Sequence, residues 1–225
     1  MNMKNERKIL IINILVICLY FLWPYFLNTL MGLFNMSNSV YLYISLSINF
    51  IFLFVIIYIY RNKISKYFSN YKTNLKSNFI SSLKIFCIGL GLYILFCSLY
   101  KELGVPILNN QSVTSEMFKK IPVIFILNTL FYYPIIEELI FKMSFKDIFK
   151  NKWSFIIFTG LFNALFQVVF SFNNITDLLY LLPLTALISS FSYIYHKTDN
   201  IIYPILLRMC YNLIPCIIYF IDLFG

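Results

Sequence analysis

The sequence predicts an all-α fold, a polytopic bundle of about seven transmembrane helices with its amino terminus cytoplasmic. Three observations carry this reading. Of the 225 residues, 60% are hydrophobic and 12% charged, and apolar stretches repeatedly reach the roughly 20 residues that cross a bilayer as helix. Aromatic residues make up 20% of the chain, chiefly Phe and Tyr, an excess that suits lipid-facing surfaces and interfacial belts. Neither a long polar segment nor an internal repeat interrupts the pattern, so residues 1–225 read as a single membrane domain.

The spans are expected at about 9–30, 40–60, 79–100, 121–141, 153–172, 178–195 and 201–221. The first follows the polar MNMKNERK and continues with no A-x-A cleavage site, which predicts a retained anchor and not a signal peptide. Ile17, preceding Cys18, is too bulky for a typical lipoprotein processing site. The second and third spans flank a basic stretch, 61–78, read as an extramembrane linker. The fourth ends in PIIEELIFK, residues 134–142, and its helix is expected to continue through Lys142. Between the sixth and seventh lies a short turn, 196–200, where His196 beside Lys197 reads as a solvated loop residue. Cys18, Cys87, Cys97, Cys210 and Cys216 all lie in apolar runs without a CxxC pair and read as small hydrophobes.

The net charge of +9 would suit nucleic acid if it formed a patch, but it is distributed by side. The amino terminus, 61–78, 142–152 and 196–200 together carry +10, whereas the segments on the opposite side carry −1. This is the positive-inside pattern of a multi-pass protein, predicting an external carboxyl terminus and a lipid bilayer, not nucleic acid, as the partner.

Polar groups inside spans are costly in lipid and are expected to face the bundle interior. Glu137 and Glu138 end the fourth span, with Lys142 four residues after the second and able to meet it on one helix face. The fifth span carries Thr159, Asn163, Gln167 and Ser171 at four-residue steps, and the seventh carries Arg208 and Asn212. Arg208 lies roughly 10 Å deep at 1.5 Å per residue, where a guanidinium needs a partner or a route to water. The two glutamates are its nearest candidates. Two plainer readings stand beside this one. The glutamates could be an interfacial pair held by Lys142 and Lys146, and the stripe on the fifth span could be interhelical hydrogen-bonding glue.

EELIFK, then GLFNALFQ, then HKTDNIIYPILLRMCYN, resembles the CAAX-protease and bacteriocin-processing (CPBP, Abi) family of intramembrane endopeptidases over roughly 120–216. The resemblance implies a glutamate and a second-motif histidine that activate water, and a third-motif histidine and asparagine that steady the oxyanion. The substrate it implies is a peptide bond near the membrane, as in a prenylated carboxyl-terminal tail. Carried over, Glu137 and Glu138 match the glutamate pair, Lys142 replaces an arginine, Arg208 stands at the third-motif histidine and Asn212 at the asparagine. Either Phe166 or Gln167 occupies the second-motif histidine position, with Gln167 favoured because it lies on the polar stripe with Asn163. In both alignments the imidazole is lost.

Gln167 could bond a water but could not accept its proton at neutral pH, and Phe166 could do neither. With no histidine in any span, two carboxylates and an amide do not make a catalytic zinc site, so neither metal nor cofactor is expected. The leading expectation is a catalytically impaired relative, a pseudoprotease in a bacterial plasma membrane. It would bind a membrane-associated peptide or membrane protein in bacteriocin immunity or regulation, a role taken from the family's range. An active endopeptidase with Glu137 as base and Arg208 with Asn212 as oxyanion donors is the first alternative. A small transporter component is the second.

Overall fold

Uninterrupted apolar sequence leaves the backbone no water to bond, so each span satisfies its own amides as a helix. A computed structural model describes residues 3–33, 38–71, 75–105, 121–170, 172 and 174–224. The chain runs through α1 (Met3–Gly32), α2 (Asn38–Tyr71), α3 (Leu75–Glu102), α4 (Pro122–Ile148), α5 (Lys152–Phe170), α6 (Ile175–Thr198) and α7 (Ile202–Phe224). Among the described residues there is no strand, and these seven helices are each long and apolar enough to cross a membrane. Their outer faces are unpartnered and apolar, including Ile51, Phe54 and Tyr58 on α2 and Ile217 and Ile221 on α7. That is the surface acyl chains would cover.

Three expected connections are helix. The stretch 61–78, read as a linker, is helical up to Tyr71 and again from Leu75. The helix of α4 continues through Lys142, as expected, and on through residues 143–148, read as loop, with Lys142 fully buried. His196 lies in the last turn of α6 and packs near the Phe155 ring, not in a free turn. The reason is common to all three. Charge marks where hydrocarbon ends, whereas Lys and Arg are good helix formers and let the helix continue into the polar zone. At 34 residues α2 is about 51 Å long, well beyond a hydrocarbon thickness of roughly 30 Å.

These extensions are tied together at the basic end of the bundle. Asn13 of α1 donates to Asp147 of α4 at 2.8 Å, and Lys63 of α2 reaches the same carboxylate oxygen at 2.6 Å. Tyr60 bonds both Asn13, at 3.0 Å, and Ser144, at 2.6 Å. Farther along, Asn200 donates to the Tyr67 carbonyl at 2.9 Å, joining the turn before α7 to the end of α2.

α6 is the central packing helix, and small residues let its neighbours approach. Gly89 of α3 faces Ser190, and Gly160 of α5 faces Ser189, so backbones meet closely on two sides of α6. α1 docks differently, through rings: Tyr20 stacks on Phe166 and packs edge-on against Phe141, while Phe21 meets both. A Cβ added at Gly89 would lie 2.5 Å from the Ser190 Cβ and Oγ. Gly89→Ala is therefore expected to destabilise the bundle by about 1–3 kcal/mol. Adding Ser190→Gly, which removes both obstructing atoms, should recover part of that loss in thermal unfolding in detergent.

Candidate functional site

The site is built on α4, whose local winding departs from a regular α-helix. Wide π turns span Leu127–Tyr132 and Glu138–Ser144, separated by the α-helical turn Tyr133–Glu137. Sequence explains the first. The Tyr133 N–H bonds the Asn128 carbonyl five residues back, and the next residue, Pro134, has no N–H to give. The Thr129 carbonyl is thereby left without a backbone donor, and Asn212 of α7 supplies one from Nδ2 at 2.8 Å. Asn212 thus bonds the frame of α4 while its side chain lines the cavity described below.

Glu137 closes the α-helical turn and Glu138 opens the second π turn. The backbone at both residues keeps ordinary α-helical torsions, and both carboxylates reach one guanidinium. Arg208 donates from Nη1 to Glu138 Oε1 at 2.8 Å and from Nη2 to Glu137 Oε2. All three side chains are buried, Arg208 at 5%, Glu137 at 5% and Glu138 at 0% exposure, so these are charges largely removed from solvent. Lys142, also at 0%, places Nζ 3.7 Å from Glu138 Oε1 without forming a hydrogen bond. Two acids and two bases share the cluster, which is formally neutral.

α5 adds amides to this cluster. Gln167 Nε2 donates to Glu137 Oε2 at 3.3 Å. With its amide turned as its neighbours demand, Asn163 donates to the same oxygen at 2.9 Å and accepts from Arg208 Nη1 at 3.1 Å. Thr159, one turn further, is fully buried and makes no hydrogen bond through its hydroxyl, and Ser171 lies outside the described residues. Of the two candidates for the second-motif position, Gln167 faces Glu137. Phe166 belongs to the aromatic contact between α1 and α5.

A cavity of about 580 Å³ opens beside the cluster, within the range of ligand-binding pockets. Glu137, Gln167, Arg208 and Asn212 form its polar end, while Tyr20, Trp23, Tyr132, Tyr133 and Phe170 contribute aromatic wall. Glu138, Lys142 and Asn163 stand behind that polar end and hold it. The wall residues of α1 and α2, including Asn49 bonded by Trp23 at 2.8 Å, were not singled out from the sequence. Among the described residues no group of three or more His, Cys, Asp or Glu could hold a metal ion.

Removing one member of a buried ion pair leaves its partner uncompensated. Arg208→Gln is expected to cost about 3–5 kcal/mol of stability, as is Glu137→Gln to a lesser degree, because Glu138 still faces the guanidinium. The double variant Glu137→Gln, Arg208→Gln should lose less than the two single losses added together, read from unfolding midpoints in detergent.

Comparison with known proteins finds a family model, the type II CAAX prenyl endopeptidase Rce1-like domain, matching residues 119–214. No curated protein and no solved structure matches the chain. The match takes in α4, α5, α6 and most of α7, and leaves α1, α2 and α3 outside it. Residues 119–214, which supply Glu137, Glu138, Asn163, Gln167, Arg208 and Asn212 to one buried cluster, are a domain of the CAAX protease family in a multi-pass membrane protein.

Proposed function

We propose that this protein is a non-hydrolytic relative of the CAAX endopeptidases that uses the cavity to bind a membrane-associated peptide. One observation carries the reading: Arg208 spans both Glu137 and Glu138 while Gln167 lies against Glu137. A hydrolase of this type needs a carboxylate free to take a proton from water, with an imidazole beside it. Here the Glu137 Oε2 lone pairs are engaged by a guanidinium and by amides, and the residue in the imidazole's place cannot act as a base at neutral pH. The same features suit a rigid receptor. A buried, formally neutral ionic cluster fixes the cavity's floor, and aromatic walls accept apolar side chains.

The roles we assign follow from that arrangement. Glu137, Gln167, Arg208 and Asn212 present the polar surface, and Glu138, Lys142 and Asn163 lock it in place. With the basic end inward, the chain would sit in a bacterial plasma membrane, and binding a small secreted peptide there would serve bacteriocin immunity or regulation of a membrane protein.

The test is peptide cleavage by the full chain in lipid nanodiscs, using a farnesylated CAAX-type peptide. Turnover is expected at the level of empty nanodiscs. Installing both imidazoles, Gln167→His with Arg208→His, should raise it by about 10²–10⁴ if the rest of the machinery is intact. Cleavage by the unaltered protein that disappears in Glu137→Gln would overturn the reading in favour of an active glutamate-dependent endopeptidase.

A further inference from the structure

The residues that line the cavity give it a direction along the bundle. The chain crosses back and forth, so the basic end holds the starts of α1, α5 and α7 and the finishes of α2, α4 and α6. On most helices the lining lies toward the opposite end. It falls between residues 20 and 27 of α1, which finishes at Gly32, and between 166 and 170 of α5, which finishes at Phe170. On α2 it falls at Asn49, in the first half of that helix, and on α4 between 129 and 137, with no lining residue beyond Glu137. Glu137 and Arg208 are therefore the floor, and exposure rises away from them. Each is 5% exposed, whereas Tyr133, one turn back on α4, is 43% and Phe170, the last lining residue of α5, is 41%.

The other side of the floor is closed. Every residue of α4 from Ile136 to Phe145 is buried, so the helix is packed on all its faces there and leaves no open channel along it. Lys142 fills the place beyond Glu138. Farther on, Ser144 bonds Tyr60 of α2, Asp147 holds α1 and α2 together, and Tyr67 of α2 bonds Tyr195 of α6. A ligand reaching the bundle at its basic end meets these contacts. One reaching it at the opposite end meets aromatic wall first and the polar floor last.

We propose that the cavity is loaded from the end opposite the basic one, so that its ligand is a peptide presented at the external face and not one displayed in the cytoplasm. This rests on the peptide-binding reading above and adds to it the side from which the peptide comes. With the basic end inward, the floor closes an outward-facing pocket. Trp23, Leu27 and Phe170 line the way to that floor and suit an uncharged apolar segment, which leaves water as it moves inward.

Cysteine reporters on the lining, Leu27→Cys and Leu184→Cys, test the side of entry, with Lys150→Cys, exposed at the basic end, as the opposite marker. The parent with its 5 cysteines sets the background. A charged, membrane-impermeant methanethiosulfonate is applied to right-side-out spheroplasts and to inside-out vesicles of cells expressing the full chain. Both lining reporters should label in spheroplasts and stay unlabelled in inside-out vesicles, with Lys150→Cys doing the reverse. Acetyl-Ala-Leu-Phe-Leu-amide added outside should slow labelling of the lining reporters. Trp23 gives a second measurement that needs no new cysteine, since it lines the cavity and the other of the chain's 2 tryptophans, Trp153, is exposed at the basic end. In Trp153→Phe proteoliposomes of one orientation, iodide should quench Trp23 from the external face alone.

Labelling of the lining reporters and quenching of Trp23 from the cytoplasmic face, or from neither face, would overturn entry from outside and leave the peptide reading standing. Labelling of Lys150→Cys in spheroplasts would overturn the inward placement of the basic end, and the proposal with it. External labelling that the peptide does not slow would overturn a peptide as the occupant while the side of entry stood.

Discussion

Arg208 is the group around which the rest must be arranged. A guanidinium about a third of the way along a span cannot face lipid and cannot be left alone, so the bundle has to bring it acceptors. It does so from two helices. α4 offers two successive carboxylates and α5 offers the carbonyl of Asn163. Lys142 balances the second acid, and the cluster closes as a formally neutral set of four ionic side chains. Such a set contributes little net stability over an apolar core of the same shape, since desolvation offsets most of the attraction. Its consequence is specificity: any register in which α4, α5 and α7 fail to meet leaves a charge buried without its partner.

α7 holds α4 through both its side chains and its backbone. Glu137 and Glu138, adjacent at the edge of the second π turn of α4, are both held by one guanidinium. Pro134 withdraws the donor that the Thr129 carbonyl would otherwise use, and Asn212 from α7 replaces it. Thus one residue of α7 holds the side chains of α4 and another, four positions on, holds its main chain. Behind them, small residues on α3 and α5 let α6 approach closely enough to wall the cavity.

The polar end of the cavity is held from two sides. Gln167 of α5 and Arg208 of α7 both bond Glu137, so an amide and a guanidinium meet one carboxylate. Beside them lies a cavity of about 580 Å³ with an aromatic wall, a volume in the range of ligand-binding pockets.

Much of this was legible in the chain itself. Hydropathy located seven spans because the bilayer enforces a length, and the polar edges of spans four, five and seven stood out because buried polar groups in lipid demand company. The pairing of Arg208 with the glutamates could be anticipated from depth and charge alone. Helix ends could not be, since charge reports the edge of hydrocarbon and says nothing of where backbone hydrogen bonding stops, as 61–71 and 143–148 illustrate. Between Phe166 and Gln167 the polar stripe favoured Gln167 but left both alignments open; packing resolves the two, with Gln167 on Glu137 and Phe166 against the rings of α1. The contributions of Tyr20, Trp23 and Asn49 were equally hidden. Sequence determined which residues were too polar for lipid; the tertiary structure decided what each would face, because that depends on helices far apart in the chain.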